Sequence, residues 1–399
     1  MRQYGWLSCI MIFLLASSCA SEQKLVTVID EALIFSEKQS LLMAEKYAGQ
    51  EGVLPRSYVD GRDTYSDSRW WCSGFFPGVL WYIYENGKSP EVLKYAKSYT
   101  QRVEREKYTT DNHDVGFMLY CSFGNGLRLT GDETYKEVLL TGAKSLSTRY
   151  NPNVGLIKSW DHNKHIWQYP VIIDNMMNLE LLLWVAKYSG DSAFVNMSVS
   201  HADKTMQHHF RPDYSSYHVV SYDTITGLPH RKQTHQGYAD ESSWSRGQSW
   251  GLYGYTYLYR ELKDKRYLDQ AINIADFLIA HPRMPEDYIP YWDYDAPDIP
   301  DTYRDVSAAC IMASALIELS DFVDAKSARK YLNVAEKQIR TLASPAYTAK
   351  LGENGSFILK HSVGAYPLNS EVDVPLTYAD YYYVEALTRL KRKLSDNQK

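Results

Sequence analysis

Apolar residues recur at three- and four-residue spacing in twelve stretches of this chain: 25–48, 73–86, 90–105, 115–130, 134–148, 175–189, 192–208, 247–262, 266–281, 305–322, 326–342 and 377–392. That spacing lays one apolar stripe along a helix, so the pattern predicts about twelve amphipathic helices and an all-α fold. The polar breaks share a form. Thr130-Gly131-Asp132-Glu133-Thr134-Tyr135, Ser189-Gly190-Asp191-Ser192-Ala193-Phe194 and Lys263-Asp264-Lys265-Arg266-Tyr267 each make a short polar turn with an aromatic starting the next helix. Gly ends one helix in the left-handed conformation, and Asp or Ser caps the next. Helical hairpins recurring about every sixty residues mark a repeat architecture. Six hairpins are expected to close into an α/α toroid around a central cavity, with an open solenoid as the rival. Closure is favoured because the polar-aromatic connections cluster at one set of helix ends. Three connections, 149–173, 209–246 and 282–304, are long and rich in Trp, Tyr, Pro, His and Asp. Long connections in a compact domain usually carry function. No shift in composition marks a linker, so residues 24–393 are expected to form one domain.

Composition narrows the partners. The net charge is −5, from 43 basic and 48 acidic residues, and no basic run or aromatic-basic box occurs, so nucleic acid is not an expected partner. An anionic ligand would have to be drawn by a few local cations. The 34 Tyr and 10 Trp supply many stacking faces, as sugar binding needs. At the N-terminus Arg2 precedes an apolar run from Trp6 to Ala16, then Ser17-Ser18-Cys19. The run is too short to span a bilayer and reads as a secretory signal, residues 1–19. The small residues before Cys19 resemble a bacterial lipobox. The expectation is an exported protein, periplasmic or membrane-anchored, touching the membrane only through a lipid on Cys19. The dispersed Cys72, Cys121 and Cys310 form neither a disulfide framework nor a metal spacing and are expected to be buried.

The densest candidate chemistry lies in residues 234–250, Thr-His-Gln-Gly-Tyr-Ala-Asp-Glu-Ser-Ser-Trp-Ser-Arg-Gly-Gln-Ser-Trp, a loop running into a helix. Aromatic faces stack on sugar rings, Arg forks onto carboxylates, and Gln serves hydroxyl pairs. Together these groups suit an acidic sugar. Two aspartates stand where a loop enters an inner helix: Asp114 in Asp111-Asn112-His113-Asp114-Val115-Gly116-Phe117, and Asp174 in Ile172-Ile173-Asp174-Asn175-Met176-Met177. Either could simply cap its helix, worth ~1 kcal/mol. The apolar setting of Asp174 also raises a carboxyl pKa, and a carboxylate at Asp114 would raise it further. A carboxylic acid held protonated near neutral pH is what general-acid catalysis on a sugar requires. His113, His208, His209, His218, His230 and His235 show no metal-ligand spacing, and no phosphate loop or nucleophile elbow is present, so no metal or cofactor is expected.

Trp70-Trp71-Cys72-Ser73-Gly74-Phe75-Phe76-Pro77-Gly78, His113-Asp114-Val115-Gly116-Phe117, Ile173-Asp174-Asn175-Met176-Met177-Asn178, the 234–250 segment and Ser370-Glu371-Val372-Asp373-Val374-Pro375-Leu376 follow one another in this order. In that order they resemble the unsaturated glucuronyl hydrolases of glycoside hydrolase family 88, across essentially the whole chain after Cys19. The resemblance implies an (α/α)6 barrel acting on oligosaccharides that an upstream polysaccharide lyase leaves with a C4–C5 double bond in the terminal uronic acid. It implies hydration of that enol ether: a proton to C4, water to C5, opening of the hemiketal, and collapse of the glycosidic link. Asp174 would be the acid and then the base, and Asp114 its partner carboxylate. Trp71, His218, Thr234, Gln236, Arg246 and Trp250 would bind substrate. Arg246 would neutralise the uronate, and Trp71 and Trp250 would stack on the rings. At Ser242 some relatives carry a bulky aromatic, so this chain departs there. The alternatives are an unsaturated rhamnogalacturonyl hydrolase acting on pectin fragments and a non-catalytic oligosaccharide-binding lipoprotein. The second would not need two acids at inner-helix starts. A sugar epimerase on the same barrel would want a His acid–base pair, which the sequence does not place.

Overall fold

The computed structural model describes the backbone of residues 5–396 and the side chains of residues 25–396. The expected leader and Cys19 therefore lie outside the residues whose side chains are described. The helices are α1 (Gly5–Lys46), α2 (Phe75–Gly87), α3 (Pro90–Gln101), α4 (Val115–Leu119), α5 (Asn125–Thr130), α6 (Thr134–Ser147), α7 (Asn175–Ser189), α8 (Ser192–His209), α9 (Ser245–Leu262), α10 (Lys265–Ala280), α11 (Val306–Leu319), α12 (Ala325–Leu342) and α13 (Thr377–Asp396). A π-helical segment, Tyr120–Gly124, joins α4 and α5 into one rod. The expected 115–130 helix is thus present, with a wider turn in its middle.

The rods form two rings. In the inner ring α2, the α4–α5 rod, α7, α9, α11 and α13 each pack on the next, and α13 returns to α2. That last contact closes the toroid, so the (α/α)6 barrel holds and the open solenoid does not. The outer helices α3, α6, α8, α10 and α12 back onto their inner partners, and α1 backs onto α13 and α2. Sequence explains the division. Every residue of α11, Val-Ser-Ala-Ala-Cys-Ile-Met-Ala-Ser-Ala-Leu-Ile-Glu-Leu, is buried, because small and apolar side chains surround it on all sides. Outer α12 buries only Tyr331, Val334, Ala335, Gln338, Ile339 and Leu342, a single stripe at helical spacing.

The repeated turns work as their residues predict. Gly131 (φ 69°) and Gly190 (φ 75°) end their helices in the left-handed region. Asp191 accepts from Ala193 N (2.9 Å) and Asp264 from Arg266 N (2.9 Å), each capping the helix that follows. Lys263 (φ 56°) fills the left-handed position without being Gly.

Small strands that the helical pattern did not predict occupy the connections. They are β1 (Leu54–Val59) with β2 (Arg62–Ser66), β3 (Tyr150–Asn151) with β4 (Leu156–Ile157), the antiparallel trio β5 (Pro170–Ile172), β6 (Val219–Tyr222) and β7 (Pro229–Gln233), and β8 (Ser362–Ala365) with β9 (Ser370–Val374). The trio ties the end of the 149–173 connection to the 209–246 connection just before α7 and α9 begin. It therefore fixes the backbone that carries Asp174 and His218: Ile173 N donates to His218 O (3.1 Å).

Inner helices α4 and α7 approach closely at Gly116. A Cβ there would lie 2.6 Å from Asn178 Cα. Backbone cannot yield as a side-chain tip can, so Gly116→Ala is expected to lower stability by ~1–3 kcal/mol. Denaturant unfolding reads this directly, and an unchanged midpoint would show that the two helices separate freely.

Candidate active site

A cavity of about 450 Å³ opens where inner helices begin. Its walls come from the residues just ahead of α2 (Trp70, Trp71), α4 (His113, Asp114) and α7 (Ile172, Asp174), and from Gln236 and Arg246 around the start of α9. A second cavity, of about 480 Å³, is lined by Glu180, Arg260, Glu385 and Arg389. There Arg260 pairs with Glu180 and Glu318, and Arg389 with Glu318 and Glu385, so its charges satisfy one another. The first cavity holds charges that are not so matched.

Asp114 and Asp174 both occupy N-cap positions, of α4 and α7, yet neither side chain makes a capping hydrogen bond. Helix capping therefore does not account for them. Asp174 Oδ2 is buried and makes no well-formed hydrogen bond. Burial raises both carboxyls. Asp114 is pushed up to about 8, first by desolvation and then by the negative charge of Asp174, with Arg149 opposing. Asp174 is pushed up to about 7 by desolvation, with Arg246 as the largest opposing influence. The sequence led us to expect Asp114 to raise Asp174. In the structure Arg246 favours the Asp174 carboxylate, and the negative charge of Asp174 adds to the burial that raises Asp114.

His218, 3% exposed, stands against Asp174 with Nε2 3.8 Å from Oδ2. Its Nδ1 accepts the backbone N–H of His235 (3.1 Å) and of Gln236 (3.2 Å). Burial holds the ring neutral, so its single proton sits on Nε2 and faces the carboxylate. Gln236 lines the cavity and anchors to Gly364 O through Nε2 (3.0 Å). Thr234 stays out of the cavity wall. Its hydroxyl accepts from Gly237 N (2.8 Å) and its own N–H donates to Asp240 (2.9 Å), which shapes the loop that presents Gln236.

Two expected roles change. Trp250 is 0% exposed, packed by Phe117 (5.2 Å between ring centroids) and Tyr382 (5.3 Å), so it offers no face for a sugar to stack on. Its indole N–H instead favours the charged form of Asp174. Arg246 borders the cavity but is 1% exposed, and it pairs with buried Asp305 (3.0 Å) and donates to Val363 O and Gly364 O. The Trp244 and Tyr378 rings lie 4.6 and 5.3 Å from it. Its fork holds β8 to α11 rather than standing open for a carboxylate. Stacking is left to half-buried Trp71, which packs on Tyr378 (4.8 Å), and to the exposed Trp70.

One wall was not picked from the sequence. Trp160, Asp161 and His162 line the cavity opposite no motif, and Trp160 stacks on His162 at 4.8 Å and 15°. The richness of 149–173 in Trp, His and Asp was the available signal. Ser242, where the motif departs, bonds Asp293 (2.7 Å) and so ties the 234–243 loop to the 282–304 connection. Cys72, Cys121 and Cys310 are free and buried.

Two raised carboxyls in a Trp-walled cleft at one mouth of an α/α barrel define a glycosidase. Comparison with known proteins narrows this: the model of Glycosyl Hydrolase Family 88 matches residues 55–393, and the chain belongs to that family. It is 49% identical over 324 residues to an unsaturated glucuronyl hydrolase of Formosa agariphila, covering 81% of this chain and 80% of that one. A crystal structure of an unsaturated glucuronyl hydrolase specific for heparin is 48% identical, with a TM-score of 0.87 over 91% of this chain and 98% of the other. The unsaturated glucuronyl hydrolase of Streptococcus agalactiae, solved as an Asp-to-Asn variant in complex with dGlcA-GalNAc6S, is 27% identical with a TM-score of 0.77, covering 92% of each chain.

Proposed function

We propose that this enzyme removes the non-reducing-end 4,5-unsaturated glucuronic acid from glycosaminoglycan-derived oligosaccharides by hydrating the C4–C5 double bond. The observation that carries the reading is Asp174: uncapped, buried, raised to about 7 and faced by the His218 Nε2–H. A carboxyl poised there serves both as acid and as base near neutral pH. Asp174 gives its proton to C4, and the positive charge developing at C5, next to the ring oxygen, is stabilised by the carboxylate left behind. Water then adds at C5 while Asp174 takes up its proton, which restores the acid. The C5 hemiketal opens, and the hemiacetal so formed at C1 expels the remaining sugar. Asp114 holds substrate hydroxyls, Trp71 stacks on a sugar ring, and Gln236 orients the uronate end, while buried His218, expected from the sequence to bind substrate, stands behind Asp174.

The similarity to hydrolases named for glucuronyl and chondroitin disaccharide substrates supports glycosaminoglycan fragments over pectin fragments. A C4–C5 double bond is what a lyase elimination leaves, so a polysaccharide lyase acts upstream. Export through residues 1–19 and lipidation at Cys19 belong to the same reading, as does a single catalytic domain over 24–393. The mass of the mature chain tests the lipid directly. The function itself is tested by the near-ultraviolet absorbance of the conjugated double bond. Unsaturated glucuronyl disaccharides with a hexosamine partner should lose it on incubation with the protein. Loss only with an unsaturated galacturonyl-rhamnose substrate would transfer the enzyme to pectin, and no loss with either would make it a binding protein.

A further inference from the structure

Each aspartate of the pair has a buried neutral histidine against it, and the two rings are held in opposite tautomers. His218 presents Nε2–H to Asp174, because its Nδ1 is occupied by two backbone donors. His113, 1% exposed, places Nε2 3.4 Å from Asp114 Oδ1. The side chain that meets its ring is Asn175. Asn175 donates its amide nitrogen to Ile157 O (2.7 Å), which leaves only its oxygen for the ring. An oxygen calls for an N–H, and Nδ1 of His113 and Oδ1 of Asn175 are both buried with no hydrogen-bond partner elsewhere to satisfy them, which leaves each as the other's available complement. The ring proton therefore belongs on Nδ1, and the nitrogen facing Asp114 is bare.

We propose that His113 is the positioning residue that fixes the shared proton of the carboxyl pair on Asp114, its bare Nε2 accepting from the Asp114 carboxyl O–H. Burial and the negative charge of Asp174 both favour a proton on Asp114. The remaining charges near the pair act on that proton in opposite senses. Arg149, tied to Asp161, favours the Asp114 carboxylate, and Arg246, tied to Asp305, favours the Asp174 carboxylate. His201 of α8, with Arg149, disfavours charge on His113 and helps keep it neutral. The consequence is electrostatic. With Asp114 protonated, the pair carries at most one negative charge, so a substrate carrying its own carboxylate enters without meeting two. Asp174 alone then titrates in the working range.

The inference rests on the reading of Asp114 and Asp174 as the reacting pair, and its test separates the two. Protein carrying nitrogen-15 histidine is examined by NMR, with the His113 signals assigned as those lost in His113→Gln. The expected result is a protonated Nδ1 and a bare Nε2; a protonated Nε2 overturns the inference while leaving the catalytic reading intact. In parallel, kcat/KM is followed against pH. His113→Gln can turn its side-chain oxygen on Asp114 and should keep the basic limb in place. His113→Leu removes the acceptor, so Asp114 ionises earlier, its charge penalises the Asp174 carboxylate, and the limb should move up by about half to one pH unit. A limb that stays put or moves down in His113→Leu overturns the inference, since a merely structural ring would alter stability and not this limb. Should the Leu protein fail to fold, the ring-nitrogen result on the wild type still decides.

Discussion

Asp174→Asn should abolish turnover, by ~10²–10⁴-fold, while the protein folds and binds the unsaturated disaccharide much as the wild type does. The amide keeps the shape of the carboxyl but cannot deliver a proton to C4 or collect one from water. Stability should change in the favourable direction above neutral pH. The carboxyl is raised from its ordinary 3.8 to about 7 in the folded protein, so the folded state holds the proton more tightly than the unfolded one. Wild-type stability is therefore full below that ordinary value and declines as pH rises toward 7. Asn carries no such burden, so its melting temperature should equal or exceed that of the wild type at pH 8. Near-wild-type turnover would remove Asp174 from the mechanism, and a lower melting temperature would mean that its carboxylate stabilises the fold.

Arg246→Ala should damage the fold as well as the affinity. The guanidinium pairs with Asp305, which is 0% exposed and caps α11 through Ser307 N (3.0 Å). Removing one partner of a buried pair leaves the other charge uncompensated and costs ~3–5 kcal/mol. The same change frees the carbonyls of Val363 and Gly364, and Gln236 is anchored on the second of these. KM should therefore rise together with the fall in melting temperature. Lys should not rescue, since it lacks the fork that spans Asp305 and both carbonyls. If KM rose with stability untouched, Arg246 would be a direct uronate contact, as the sequence alone implied.

What was legible in the sequence was whatever depends on neighbours along the chain. Apolar residues at helical spacing located every rod of both rings, because each helix is marked out by its own residues, whether it buries one stripe, as α12 does, or all of its surface, as α11 does. Asp191 and Asp264 cap within two residues, so their turns could be read directly. Asp114 and Asp174 stood out because each precedes an apolar run on a helix start. What escaped needed partners from far away. Asp305 lies 59 residues beyond Arg246, and nothing local reports that one closes over the other. Trp250 reads as a sugar platform until Phe117 and Tyr382 cover it. Trp160 joins the cleft through an antiparallel bridge to Asn112, far back along the chain. The ring of His113 depends on Asn175, whose orientation is set in turn by Ile157 O.

The central claim is that Asp174 drives hydration of C4–C5 and that cleavage of the glycosidic link follows from it. A carbon-linked analogue of the unsaturated glucuronyl disaccharide, in which no glycosidic oxygen can leave, tests this most directly. The wild-type enzyme should still abolish the near-ultraviolet absorbance of the analogue, forming a hydrated product with both rings joined, and Asp174→Asn should not. If the wild type cleaves the oxygen-linked disaccharide but leaves the absorbance of the carbon-linked one intact, bond breaking at C1 comes first and the account is contradicted.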